Sequence, residues 1–82
     1  MKRPHPPRKR SVVIAGHPTS ISLEDEFWDE LCRIAADQDR SLSSLLAEID
    51  ETRGARSLSS AVRVYVLKWL KARGDDTRPP WS

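Results

Sequence analysis

The chain has 82 residues, with fourteen Lys and Arg against twelve Asp and Glu, a net charge of +2 and one cysteine, Cys32. A single cysteine excludes a disulfide framework, and with only His5, His17 and Met1 as further soft ligands no metal site is expected. No apolar run is long enough for a membrane span or a signal-peptide core, and one unpaired thiol suits a reducing cytoplasm.

Five of the positive charges, Lys2, Arg3, Arg8, Lys9 and Arg10, fall in the first ten residues, and the rest of the chain is net −3. Pro4, Pro6 and Pro7 interrupt that stretch, so residues 1–10 are expected to form a disordered basic arm. One domain over 11–73 and a disordered tail over 74–82, carrying Pro79-Pro80, complete the expected organisation. A domain this small buries only about 60% of its unfolded surface, and with no staple available a homodimer is the expected source of further burial.

Ser11-Val-Val-Ile-Ala15 is rich in β-branched residues and reads as a strand, and Gly16-His-Pro18 reads as a break. Thr19-Ser-Ile-Ser-Leu23 alternates, with Thr19, Ile21 and Leu23 on one face and Ser20 and Ser22 on the other. A first helix is expected from Glu24 to Gln38, with Phe27, Trp28, Leu31, Ile34 and Ala35 as its apolar stripe. Its opening acids, Glu24, Asp25 and Glu26, suit the positive end of the helix dipole. Asp39-Arg40 forms the turn to a second helix, capped by Ser41, striped by Leu42, Leu45, Leu46 and Ile49, and stopped at Gly54. A third helix opens at Ser57 and runs to Arg73. Leu58, Ala61, Val62, Tyr65, Val66 and Trp69, broadened by Val64, Leu67 and Leu70, cover most of its circumference, which points to a helix buried from more than one side. The expected fold class is thus mainly α with a short β ribbon.

Three blocks carry a family resemblance: Thr19-Ser-Ile-Ser-Leu-Glu-Asp-Glu-Phe-Trp-Asp-Glu-Leu31, Ile34-Ala-Ala36 and Asp39-Arg-Ser-Leu-Ser-Ser44. Together they resemble the ribbon-helix-helix superfamily of DNA-binding proteins. Lys9-Arg-Ser-Val12, Gly16-His-Pro-Thr-Ser20 and Leu58-Ser-Ser-Ala61 are similar to blocks in short bacterial members, although Pro18 stands where an arginine is expected. Ser41-Leu-Ser-Ser44 and Ser57-Leu-Ser-Ser60 both look like the opening of the superfamily's second helix. The short turn before Ser41 favours the first.

The resemblance implies an intertwined homodimer whose subunits pair their strands and lay the ribbon in the major groove of double-stranded DNA. Ser20 and Ser22 would then face base edges, with Pro18 or His17 at the ribbon end. A serine hydroxyl both donates and accepts, so it discriminates weakly between bases. Ser22-Leu-Glu-Asp25 also fits a capping box, which would commit the Ser22 hydroxyl to the first helix. The amides of Leu42 and Ser43, the Ser41 and Ser43 hydroxyls and Arg40 form a candidate phosphate site at the second helix. Lys9 and Arg10 are candidate phosphate contacts from the arm.

No nucleophile–base pair, phosphate loop or paired metal-ligand motif is present, so no catalytic residue, metal or cofactor is assigned. The reading is a homodimeric, sequence-selective DNA-binding protein acting as a transcriptional regulator in the bacterial cytoplasm. The rival is an antitoxin-like module that binds a partner protein, favoured by Pro18 and by the acidic first turn.

Overall fold

Ala15 and Gly16 both have positive φ, 51° and 81°. Two consecutive left-handed residues match the right-handed twist of flanking strands and close the tightest hairpin loop. In the computed structural model, which describes residues 8–73, they join β1 (Arg8–Ile14) to β2 (His17–Leu23). The two strands pair antiparallel in one two-stranded sheet, with Ile14 opposite His17 and Arg8 opposite Leu23.

The hairpin corrects three expectations. The first strand starts at Arg8 rather than Ser11, so Arg8, Lys9 and Arg10 belong to the folded unit. The break at Gly16-His-Pro18 shrinks to the turn Ala15-Gly16, and His17 and Pro18 lie in β2. The strands expected to pair between two subunits pair within one chain. Pro18 is tolerated because it shares the parity of Ser22, whose N–H points away from β1 toward Ser59, so its missing N–H costs no ladder bond.

Ala15 is strained in its left-handed conformation, which costs an L-residue roughly 1–2 kcal/mol. Ala15→Asn, the residue preferred at this turn position, is expected to raise stability by about 1 kcal/mol. Chemical denaturation of the two proteins side by side checks this; a lower midpoint for the variant would show that the turn has another geometry.

Three helices follow: α1 (Asp25–Asp37), α2 (Leu42–Thr52) and α3 (Leu58–Ala72). Each bound falls within a residue or so of the expected one. The Ser22 capping box does not form. Glu24 is the N-cap of α1, and its side chain makes no capping bond. α1 ends in a Schellman turn: Arg40 N–H donates to the Ala35 carbonyl and Asp39 N–H to the Ala36 carbonyl, both at 3.0 Å, with Asp39 left-handed. Ser41 caps α2 by accepting from Ser44 N–H at 3.1 Å, and Ser57 caps α3 by accepting from Ser60 N–H at 3.2 Å. Gly54, at φ 61°, follows the C-cap of α2 in the left-handed position that glycine fills without strain.

The core lies between the inner hairpin face and the helices. Ile14, Ile21 and Leu23 come from the ribbon, Leu31, Ile34 and Ala35 from α1, Leu45, Leu46 and Ile49 from α2, and Ala61, Val62 and Val66 from α3. Much of the apolar circumference of α3 is therefore covered by its own chain. Leu67 alone among its large apolar residues is exposed, at 50%.

Ion pairs tie the helices to the ribbon and to each other. Arg63 donates twice to the Glu24 carboxylate, at 3.0 and 2.9 Å. A hydrogen bond from its own backbone, and then the Arg63 guanidinium, lower the Glu24 pKa from the usual 4.5. A carboxyl with a lowered folded pKa adds stability above its unfolded value and loses that contribution as pH falls through the folded one. Melting temperature is therefore expected to fall on acidification below about pH 4.5, and Arg63→Met to lessen that loss. An acid limb identical in the variant would show that the pair does not couple to folding.

Candidate functional site

Alternation along the hairpin turns Lys9, Ser11 and Val13 of β1 and Pro18, Ser20 and Ser22 of β2 outward, and all six are exposed. They face each other across the strands as Lys9–Ser22, Ser11–Ser20 and Val13–Pro18. The opposite face carries Val12, Ile14, Thr19, Ile21 and Leu23 toward the core. Ser20 and Ser22 thus lie where the alternation puts them. His17 does not join them: it is exposed beside the turn, but alternation puts it on the face of Thr19 and Ile21. Pro18 holds the ribbon end on the outward face.

Both ribbon edges are held by helix starts. An antiparallel pair has an approximate two-fold axis through its face, here midway between Ser11 and Ser20, and this axis relates Val13 to Ser22. At the first position the Ser43 hydroxyl of α2 donates to the Val13 carbonyl. At the second, Ser22 N–H donates to the Ser59 hydroxyl of α3 at 3.2 Å. Each clamp is the third residue of a Ser-Leu-Ser-Ser opening whose first serine is the cap. The two Ser-Leu-Ser-Ser openings thus occupy corresponding places at opposite edges of the ribbon.

At the start of α2 the cap satisfies Ser44 N–H, and among the described residues the Leu42 and Ser43 N–H groups take no further partner. The Ser43 hydroxyl proton is already committed to Val13. Arg40 is engaged as well. Its five N–H donors make five bonds, to Ser44 Oγ twice, the Ser44 carbonyl, Gln38 Oε1 and Glu48 Oε1. Gln38 in turn donates to Tyr65 Oη at 2.8 Å. Arg40 therefore joins the end of α1 to α2 and, through Gln38, to α3.

Arg10 also departs from its expected place on an arm. It lies on the inner side of β1, half-buried, with its guanidinium 4.5 Å from the Trp28 ring centroid and 3.0 Å from Asp25. A cation held between an aromatic face and a carboxylate fixes α1 against the ribbon. Lys9, its neighbour, faces outward and is exposed. Arg8 lies 3.6 Å from Asp25 while mostly exposed. Lys2 and Arg3 lie outside the described residues, as does the expected tail.

Ser11, Val13 and Ser59 were not singled out in the sequence. The Val12/Ile14 alternation marks the first two, once β1 is recognised as the partner of β2. The second Ser-Leu-Ser-Ser opening marks the third.

Cys32 is half-buried, and burial followed by the Asp29 carboxylate pushes its thiol pKa up. Such a thiol is a poor nucleophile at neutral pH. Among the described residues no three His, Cys, Asp or Glu side chains converge on a metal position. No described helix is long and apolar enough to cross a membrane.

No match was found among curated protein sequences. A solved structure, that of an uncharacterized protein from Bordetella pertussis Tohama I, is similar at 29% identity with a TM-score of 0.71. The match covers 95% of this chain and 66% of that one, so this chain spans somewhat less than two thirds of its relative. The family model for the ribbon-helix-helix domain matches residues 7–70. With an antiparallel ribbon followed by helices over that same stretch, the chain belongs to the ribbon-helix-helix family.

Proposed function

We propose that the chain is a sequence-selective DNA-binding transcriptional regulator that inserts the outward face of its hairpin into the major groove. DNA binding or a regulator-like role is the general function of the family. The observation that carries the finer reading is the ribbon face itself: a narrow exposed strip of Lys9, Ser11, Ser20 and Ser22 with Val13 and Pro18, backed by a packed core. A two-stranded ribbon is narrow enough for the major groove, and serine hydroxyls suit base edges.

In this reading Lys9 neutralises a phosphate, and the Leu42 and Ser43 amides at the start of α2 receive another beside the groove. Ser41 shapes that helix start as its cap. Arg40 acts by holding the start of α2 in place, since its donors are occupied.

The reading includes a homodimer. The ribbon is complete within one chain, so the second copy meets the first elsewhere, and the exposed Leu67 on α3 supports a contact through that helix. Leu67→Asp is then expected to keep its helix content and sediment as a monomer.

The test is a binding-site selection from random duplexes, followed by titration of the selected duplex at several salt concentrations. A preferred sequence whose affinity falls steeply with salt supports the reading, and Lys9→Ala should lower the magnitude of the log–log slope by about one for each chain bound to the duplex. An unselective pool, or affinity indifferent to salt, would overturn it. Capture of a partner protein by a chain that ignores duplexes would favour the antitoxin-like alternative.

A further inference from the structure

Val13 is 53% exposed, yet it stands on the outward face of a strand whose inward face already supplies the core. Its partner in register is Pro18, also exposed. The turn end of the ribbon face is therefore apolar, while the far end, Lys9 with Ser22, is basic and polar. The two ends are four residues apart along each strand, about 13 Å, or roughly four base-pair rises.

An apolar end on a polar reading face calls for an apolar feature in the groove. The major-groove edge of the base pairs offers one: the methyl group on C5 of thymine, which 5-methylcytosine carries at the same position. The place of Val13 is also fixed. Its carbonyl is held by Ser43, next to the Leu42 and Ser43 amides at the start of α2, which take no partner among the described residues. A phosphate seated there would hold the Val13 side chain at a constant position over the bases.

We infer that Val13 and Pro18 form a specificity contact for the C5 methyl group of a pyrimidine, read at the base pairs beneath the hairpin turn. The contact rests on the proposed DNA-binding function and deepens it. It also gives the reading face of one chain a direction, from a polar, basic end to a methyl-seeking end, so the bases under one ribbon need not form a palindrome.

The experiment starts from the duplex recovered by binding-site selection. Each thymine is replaced in turn by deoxyuridine, which removes only the methyl group and leaves the protein untouched. At one or two positions the substitution is expected to weaken binding about fourfold, the equivalent of one buried methyl group. Replacing those thymine–adenine pairs with cytosine–guanine pairs, with and without a 5-methyl group, separates the two sources of the methyl. If the methyl itself is read, 5-methylcytosine recovers part of the affinity that cytosine loses.

Val13→Ser should abolish the penalty for deoxyuridine while melting like the parent, and Pro18→Ser should reduce it. Lys9→Ala should weaken binding to both duplexes equally. A selected duplex that tolerates deoxyuridine everywhere within twofold would overturn the inference and leave the DNA-binding reading standing. So would a deoxyuridine penalty that survives in Val13→Ser. Failure to select any duplex would overturn both.

Discussion

Val66→Asp is expected to leave the chain unfolded. Val66 is 2% exposed on the core-facing side of α3, and its cluster contains no buried polar or charged residue that could pair with a carboxylate. An unpaired charge in such a place costs several kcal/mol, or the site stays neutral at a similar cost. A domain of this size has a total stability of only about 3–10 kcal/mol, so one such change removes most of it. Circular dichroism at neutral pH should show loss of helix. Leu67→Asp, one residue on but half exposed, should retain it. Equal loss in both variants would mean that the far side of α3 is also buried in an obligate assembly.

Ile21→Ala is expected to cost about 2–5 kcal/mol, because a side chain 1% exposed leaves a cavity that its neighbours only partly fill. Ser20→Ala, its neighbour on the outward face, should melt within about 0.5 kcal/mol of the parent. In binding-site selection the order reverses. Ser20→Ala should shift preference by about 1 kcal/mol or less, the worth of one weakly discriminating hydroxyl, while Ile21→Ala should keep whatever preference its folded fraction has. Thermal melts paired with selection decide the matter. If Ser20→Ala unfolds the chain and Ile21→Ala only changes the preferred site, the ribbon faces are reversed by one residue of register.

Local signals were legible in the sequence. Ser41 and Ser57 cap α2 and α3 because a serine before an apolar stripe acts through a bond three residues away. Ser20 and Ser22 face outward because a period of two leaves them no other side once Ile21 and Leu23 are buried. What escaped depended on contacts between distant residues. The strand pairing turns on Ala15, which adopts positive φ without the glycine or asparagine that would announce it. Arg10 looked like part of a solvated arm because its partners, Asp25 and Trp28, come from the next helix. Arg40 looked free for phosphate because Gln38, Ser44 and Glu48 converge on it only after α1 ends in its left-handed turn at Asp39. The apolar girth of α3 suggested a helix enclosed by a second copy, whereas much of it packs on the ribbon and the other two helices of the same chain.

That the outward ribbon face reads the major groove is tested most directly by dimethyl sulfate footprinting on the selected duplex. The reagent methylates guanine N7, which lies in that groove. Protection of guanine N7 over a short stretch, shifted or weakened by Ser20→Ala while the variant still folds, is the expected result. Full binding with every guanine N7 left reactive, or protection unchanged by substitutions at Ser20 and Val13, would contradict it.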